Sequence, residues 1–179
     1  MPKFLVIQAA RFGDLVQTKR LLLSLALRGE VHLAVDASLV PLARVLYPFA
    51  ELHALSVHGK PEAEALARNT AMLTRWQGLR FEAVYNCNFS GATAALCRVF
   101  ETEQVYGYRP EPGGISRSPW ARLAFRISER RALAPLNLVD FWAHFAPEPV
   151  EAHRVNPVAT PGGRGLGVVL AGRESRRSL

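Results

Sequence analysis

The sequence predicts a doubly wound α/β fold, and three observations carry that expectation. Short runs rich in β-branched and aromatic residues alternate with stretches of helical period from residue 3 to about residue 108. The first run, "KFLVI", is apolar throughout, as a parallel strand covered on both faces requires. Hydrophobic residues make up 49% of the 179 positions and charged residues 21%, the balance of an ordinary globular chain.

"KFLVIQA" (3–9) opens the sheet. A helix is expected from about Asp14 to Arg28, with Leu21, Leu22 and Leu25 on one face and Gly29 just past its end. "VHLAVD" (31–36) is the second strand, with a helix from about Ser38 to Leu46 behind it. "LHALSV" (52–57) is the third, and a longer helix over about 61–77 is expected to bury Leu66, Leu73 and Trp76. "AVYNCNF" (83–89) and "SGATAALCRVF" (90–100) read as a fourth strand and its helix, and "QVYGY" (104–108) as a fifth strand. Such alternation implies right-handed crossovers.

After Tyr108 the texture changes. "RPEPGGISRSP" reads as a loop, and Ser118-Pro119 as a helix entry, a cap followed by proline in the first turn. The helix from Trp120 to about Arg131 carries Arg122, Arg126 and Arg130 four residues apart, beside an apolar stripe of Trp120, Leu123 and Ile127. "LNLVDFWAHF" is a further helix. The organisation expected is one α/β domain over 1–145 and a Pro- and Gly-rich interdomain linker over 146–164. Residues 165–179 then hold only the first strand, "GLGVVLAG", of a second domain that is cut short.

The net charge of +7 comes mostly from arginine and favours anionic partners. No helix-turn-helix spacing, zinc motif or aromatic RNA-binding signature accompanies it, so no nucleic-acid partner is expected. "QAARFGD" has one of the three glycines of a dinucleotide fingerprint, which disfavours a dinucleotide-dependent oxidoreductase. No apolar run reaches bilayer length and no signal-peptide pattern opens the chain, so a cytoplasmic location is expected. Cys87 and Cys97 lie in apolar contexts and are expected as buried free thiols. The five histidines fall in unrelated segments, and no metal site is expected from them.

In open α/β sheets ligands bind beyond the carboxyl ends of the strands. Two strand ends are polar here: the first supplies Arg11, Gly13 and Asp14, the fourth Asn86, Asn88 and Ser90. Gly13 would let the backbone turn tightly or approach a ligand closely. Asp14, Asn88 and Ser90 all stand where helix caps belong, and a cap carboxylate can keep one oxygen facing a ligand.

"FLVIQAARFGDLVQTKRLLLSL" resembles the opening of glycosyltransferase family nine, the ADP-heptose:lipopolysaccharide heptosyltransferase-like enzymes. "FEAVYNCNFSGATAALCRVF" with "VYGYRPEPGG", "LNLVDFWAHFAP" and "GLGVVLAGRESRRSL" resemble later segments of that family, in the same order. The resemblance implies a GT-B architecture of two facing Rossmann-like domains, of which this chain holds the acceptor-side half. It implies an inverting transfer from a nucleotide sugar to an anionic glycolipid, in lipopolysaccharide core biosynthesis, with peripheral contact at the inner membrane surface. Asp14 matches the proposed general base. Arg11, Gly13, Asn88, Ser90, Arg122 and Arg126 are then acceptor-binding candidates, and Arg173 and Arg177 stand where the family places donor-phosphate contacts. No Asp-x-Asp pair occurs, and the resemblance implies a metal-independent enzyme without cofactor. Lacking most of a donor site, the fragment alone is expected to be inactive. The alternative is a non-catalytic module that binds a glycolipid or a nucleotide.

Overall fold

The computed structural model describes residues 1–130 and 136–155. The strands are β1 (Lys3–Ile7), β2 (Glu30–Asp36), β3 (Glu51–Leu55), β4 (Ala83–Asn86), β5 (Val105–Glu111) and β6 (Gly114–Arg117). The helices are α1 (Phe12–Gln17), α2 (Lys19–Ala26), α3 (Val40–Leu46), α4 (Glu62–Arg68), α5 (Thr70–Gly78), α6 (Gly91–Leu96), α7 (Pro119–Ser128), α8 (Leu138–Ala143) and α9 (Ala152–Val155). One six-stranded sheet runs in the order β3-β2-β1-β4-β5-β6. Its first five strands in chain order are parallel, and β6 pairs antiparallel with β5. This is a Rossmann-like α/β domain.

The continuous apolar β1 follows from its central place. Phe4 and Val6 point into a core shared with α2, α3, α7 and α8, while Leu5 and Ile7 point into one shared with α4, α5 and α6. Helices on the β1-to-β3 path thus cover one face, and those on the β3-to-β5 path cover the other. Same-handed crossovers require that arrangement once the strand order reverses. The reversal falls between β1 and β4.

Several predicted elements break where a polar side chain competes with the backbone. The first helix begins at Phe12 rather than Asp14, because Arg11 takes the extended cap position. It breaks at Thr18, whose hydroxyl donates to the Leu15 carbonyl at 2.7 Å. The helix expected over 61–77 breaks at Asn69, whose amide donates to Ala65 O at 2.7 Å and accepts from Ser56 N–H at 3.0 Å. Trp76 is fully buried there, but Leu66 and Leu73 are only half-buried. The helix expected over 90–100 ends at Leu96 and tightens into a 3₁₀ turn, Cys97–Val99. Gly29 has no left-handed backbone; a Cβ there would run into the Pro2 carbonyl and the Phe4 ring.

The segment expected as a loop after Tyr108 is a hairpin. Glu111 pairs with Gly114 around Pro112-Gly113, and Gly113 has φ +83°, the residue pattern of a type II turn. Ser118 stands at the N-cap of α7, yet its hydroxyl accepts from the Gly107 N–H at 2.9 Å instead of from its own helix. The buried face of α7 is Ala121 and Ala124, not the expected stripe: Leu123 is 52% exposed. Arg122, Arg126 and Arg130 are exposed.

Residues 146–155, the described part of the expected linker, lie against α2. The Val150 N–H donates to Ser24 Oγ at 2.8 Å, and the Val150 carbonyl accepts from Arg20 Nε at 2.8 Å. Arg20 is buried and also pairs with Asp140 on α8. The rest of the linker, the strand expected over 165–172, Arg173 and Arg177 lie outside the described residues. Among the described residues no helix is long and apolar enough to cross a membrane. Cys87 and Cys97 are free and buried, and burial pushes the Cys97 thiol up to about 12.

Candidate functional site

Where the strand order reverses, the chains leaving β1 and β4 diverge and open a cleft of about 860 Å³. Ligand sites of open α/β sheets fall at this topological position. The β1 end contributes Arg11 and Asp14, the β3 end His58, Lys60 and Glu62, and the β4 end Asn88, Phe89, Ser90 and Thr93. Leu138 and Trp142, one turn apart on α8, form an apolar wall.

Asp14 sits in the first turn of α1, and its Oδ2 accepts from the Arg11 N–H at 3.2 Å. Its Oδ1 makes no hydrogen bond among the described residues. Ser90 caps α6, accepting from the Thr93 N–H at 3.2 Å. Asn88 is buried and donates to the Ile7 carbonyl at 2.7 Å. Asn86 is spent on structure, donating to the Tyr108 carbonyl at 2.8 Å. Lys60 follows a turn in which Gly59 takes φ +70° and the Lys60 N–H donates to Val57 O at 3.1 Å. Its ammonium lies 3.0 Å from Glu64. Trp142 is 2% exposed, and its indole N–H has no partner among the described residues.

The cleft therefore brings Arg11, Asp14, Asn88 and Ser90 together, but not every candidate. Gly13 has no left-handed φ, and a Cβ there would meet nothing, so neither a tight turn nor a close approach requires glycine. Arg122 lines a separate recess of about 450 Å³ with Arg109 and Arg117 on the β5–β6 hairpin. Arg126 lines neither. Sequence reasoning missed His58, Lys60 and Glu62, although "SVHGKPE" carries a glycine turn signal at a strand's carboxyl end. It missed Trp142 as well, because an aromatic residue on an amphipathic helix reads as core.

The scattered histidines also need correction. Pairing of β2 with β3 sets His32 beside His53, with Nδ1 and Nε2 2.9 Å apart. Burial, with His32 as its neighbour, pushes His53 down to about 4, and burial lowers His32 too.

The fold and the cleft together define the class: a Rossmann-like α/β domain with a crevice at its switch point that is lined by apolar as well as polar side chains. A comparison of the chain with models of known protein families and with curated proteins finds no match.

Proposed function

We propose that this chain is the acceptor-side domain of a GT-B glycosyltransferase of the heptosyltransferase-like kind. The observation that carries the reading is the Asp14 carboxylate, in the switch-point cleft with one oxygen held by a backbone N–H and the other unbonded among the described residues. In this reading Asp14 takes the proton of an acceptor hydroxyl while that oxygen attacks the anomeric carbon of a nucleotide sugar. The bond to the nucleoside diphosphate breaks, its electron pair leaves with the diphosphate, and the configuration inverts. A carboxylate suits the step because the hydroxyl becomes acidic only as the new bond forms. Arg11 and Lys60 supply positive charge for an anionic glycolipid acceptor, and Leu138 and Trp142 supply an apolar wall. Residues 165–179 begin the donor domain in this proposal, with Arg173 and Arg177 toward the diphosphate. Catalysis needs no metal, and the enzyme works in the cytoplasm at the inner membrane surface.

A second reading is favoured by the same Asp14 contact: a carboxylate that accepts from the cap residue's N–H serves the helix by itself. The chain is then a binding module for a glycolipid or a nucleotide. The two separate in one experiment on the native protein from its source cells. Its intact mass is measured, and it is assayed with an ADP-heptose-type donor and a lipopolysaccharide-core acceptor. Transfer that falls by roughly 10²–10⁴ in Asp14→Asn, with acceptor binding retained, supports the transferase. Acceptor binding without transfer supports the module.

A further inference from the structure

Toward the amino ends of the strands, away from the cleft, β2 and β3 collect titratable side chains on one face. Their register pairs His32 with Glu51 and Ala34 with His53. Strand alternation then places Glu30, His32, Glu51 and His53 on the same side of the sheet. Both histidines are fully buried, beneath Trp76 and Phe81. His32 Nδ1 lies 2.9 Å from His53 Nε2 and 3.5 Å from Glu51 Oε2. One ligand atom from each of His32, Glu51 and His53 falls within 4.8 Å of the others. We propose that His32, His53 and Glu51 form a binding site for a divalent first-row transition-metal ion, with Zn²⁺ as its natural occupant.

The surrounding groups are arranged as such a site needs. Glu30 Oε1 stands 3.0 Å from His32 Nε2, and a ligating imidazole characteristically turns its other nitrogen to a carboxylate. Glu51 Oε1 accepts from Arg75 Nη2 at 2.5 Å, which leaves Oε2 facing inward. His53 Nδ1 lies 3.2 Å from Met72 Sδ, a weak acceptor that leaves Nε2 as the ligand nitrogen. Two imidazoles and one carboxylate, with a fourth place for water, are a donor set that zinc uses. Calcium and magnesium demand oxygen ligands and do not fit it. Half-exposed Glu51 gives the ion a way in.

A plain hydrogen bond between two neutral imidazoles explains the 2.9 Å contact and, with the His32 proton on Nε2, the approach of Glu30. It leaves Glu51 Oε2 facing the His32 Nδ1 lone pair at 3.5 Å. Neutral His32 carries one ring proton. With that proton on Nε2, toward Glu30, its Nδ1 lone pair faces Glu51; with the proton on Nδ1, the Nε2 lone pair faces Glu30. A cation between His32, His53 and Glu51 removes the first clash and keeps the Glu30 contact. Zn–N bonds of about 2.0–2.1 Å in tetrahedral geometry place the two nitrogens roughly 3.3 Å apart, so the rings need to part by only a few tenths of an ångström.

The test uses the untagged, chelator-treated 179-residue chain and the metal alone. Titration with Co²⁺ is expected to give the visible ligand-field absorption of a tetrahedral site at one ion per chain, displaced by Zn²⁺, and Zn²⁺ is expected to raise Tm. His53→Gln should abolish the bands, and Glu51→Gln should weaken binding by about tenfold or more. Exposed His153→Gln should change nothing. If His53→Gln fails to fold, the half-exposed Glu51→Gln decides. Absence of bands in the wild type, or bands unchanged in folded Glu51→Gln, overturns the site.

Discussion

The side-chain amide of Asn88 donates to the Ile7 carbonyl across 2.7 Å, joining the ends of β1 and β4 where the strand order reverses. The same carbonyl accepts from the Cys87 N–H at 3.0 Å, the last rung before the two chains part. Asn88 therefore holds the root of the cleft closed. Asn88→Ala is expected to cost about 1–2 kcal/mol, the value of a buried hydrogen bond whose partner keeps a second donor. Asn88→Asp should cost more, because a carboxylate would face a carbonyl. Urea midpoints for the two variants and the wild type check the order, and an Asn88→Ala midpoint equal to that of the wild type would show that the amide carries no weight.

Asp14 separates structure from chemistry. As a first-turn carboxylate accepting from the Arg11 N–H, it contributes about 0.5–1 kcal/mol to stability. Asp14→Asn keeps an acceptor for that bond, so its midpoint should fall by less than that of Asp14→Ala. On the proposed chemistry both variants lose transfer activity by roughly 10²–10⁴, because neither can take a proton. Activity that tracks stability across the pair would reduce Asp14 to a cap.

Arg20 is the buried cation that links the two ends of the domain. It pairs with Asp140 and donates to the Val150 carbonyl at 2.8 Å, more than a hundred residues away in sequence. Asp140→Ala leaves that buried guanidinium with the Val150 carbonyl as its remaining partner among the described residues. Because the Asp140 side is 37% exposed, the expected cost is about 1–3 kcal/mol, below that of a fully buried pair. A double-mutant cycle with Arg20→Met should return part of the loss, since the uncompensated charge goes with it. Strict additivity in calorimetry would mean that the pair is not coupled.

Arg20 also shows where sequence reading stops. The succession of strands and helices was legible because β1, β2 and β4 are central and so apolar on both faces. Arg11, Asp14, Asn88 and Ser90 were legible as site candidates because polar residues at strand ends converge in this topology. An arginine among leucines, by contrast, reads as surface until Asp140 is known to lie beside it. His32 and His53 became neighbours only once β2 and β3 paired. The β5–β6 hairpin escaped because β6 has no buried residue to mark a period of two. Gly107 looked like an ordinary strand residue. Its φ of +91° and its closeness to the Asn86 carbonyl, which a Cβ would strike, come from packing against β4.

Tyr47 ties the helix that carries Asp14 to the core. Its hydroxyl donates to the Leu15 carbonyl at 2.6 Å, and the ring is 1% exposed. Burial pushes the phenol up to about 12, with the Thr18 contact working slightly the other way. The folded state thus keeps a proton that the unfolded chain releases near pH 10. Stability should be fully present below about pH 10 and decline as pH rises toward about 12, by roughly 2–3 kcal/mol in all. Tyr85, pushed by burial to about 12 as well, adds to the same window. Tyr47→Phe should cost about 1 kcal/mol at neutral pH and lessen the alkaline decline. Urea unfolding near pH 8 and near pH 11 measures both effects, and an alkaline slope unchanged in Tyr47→Phe would place the titration elsewhere.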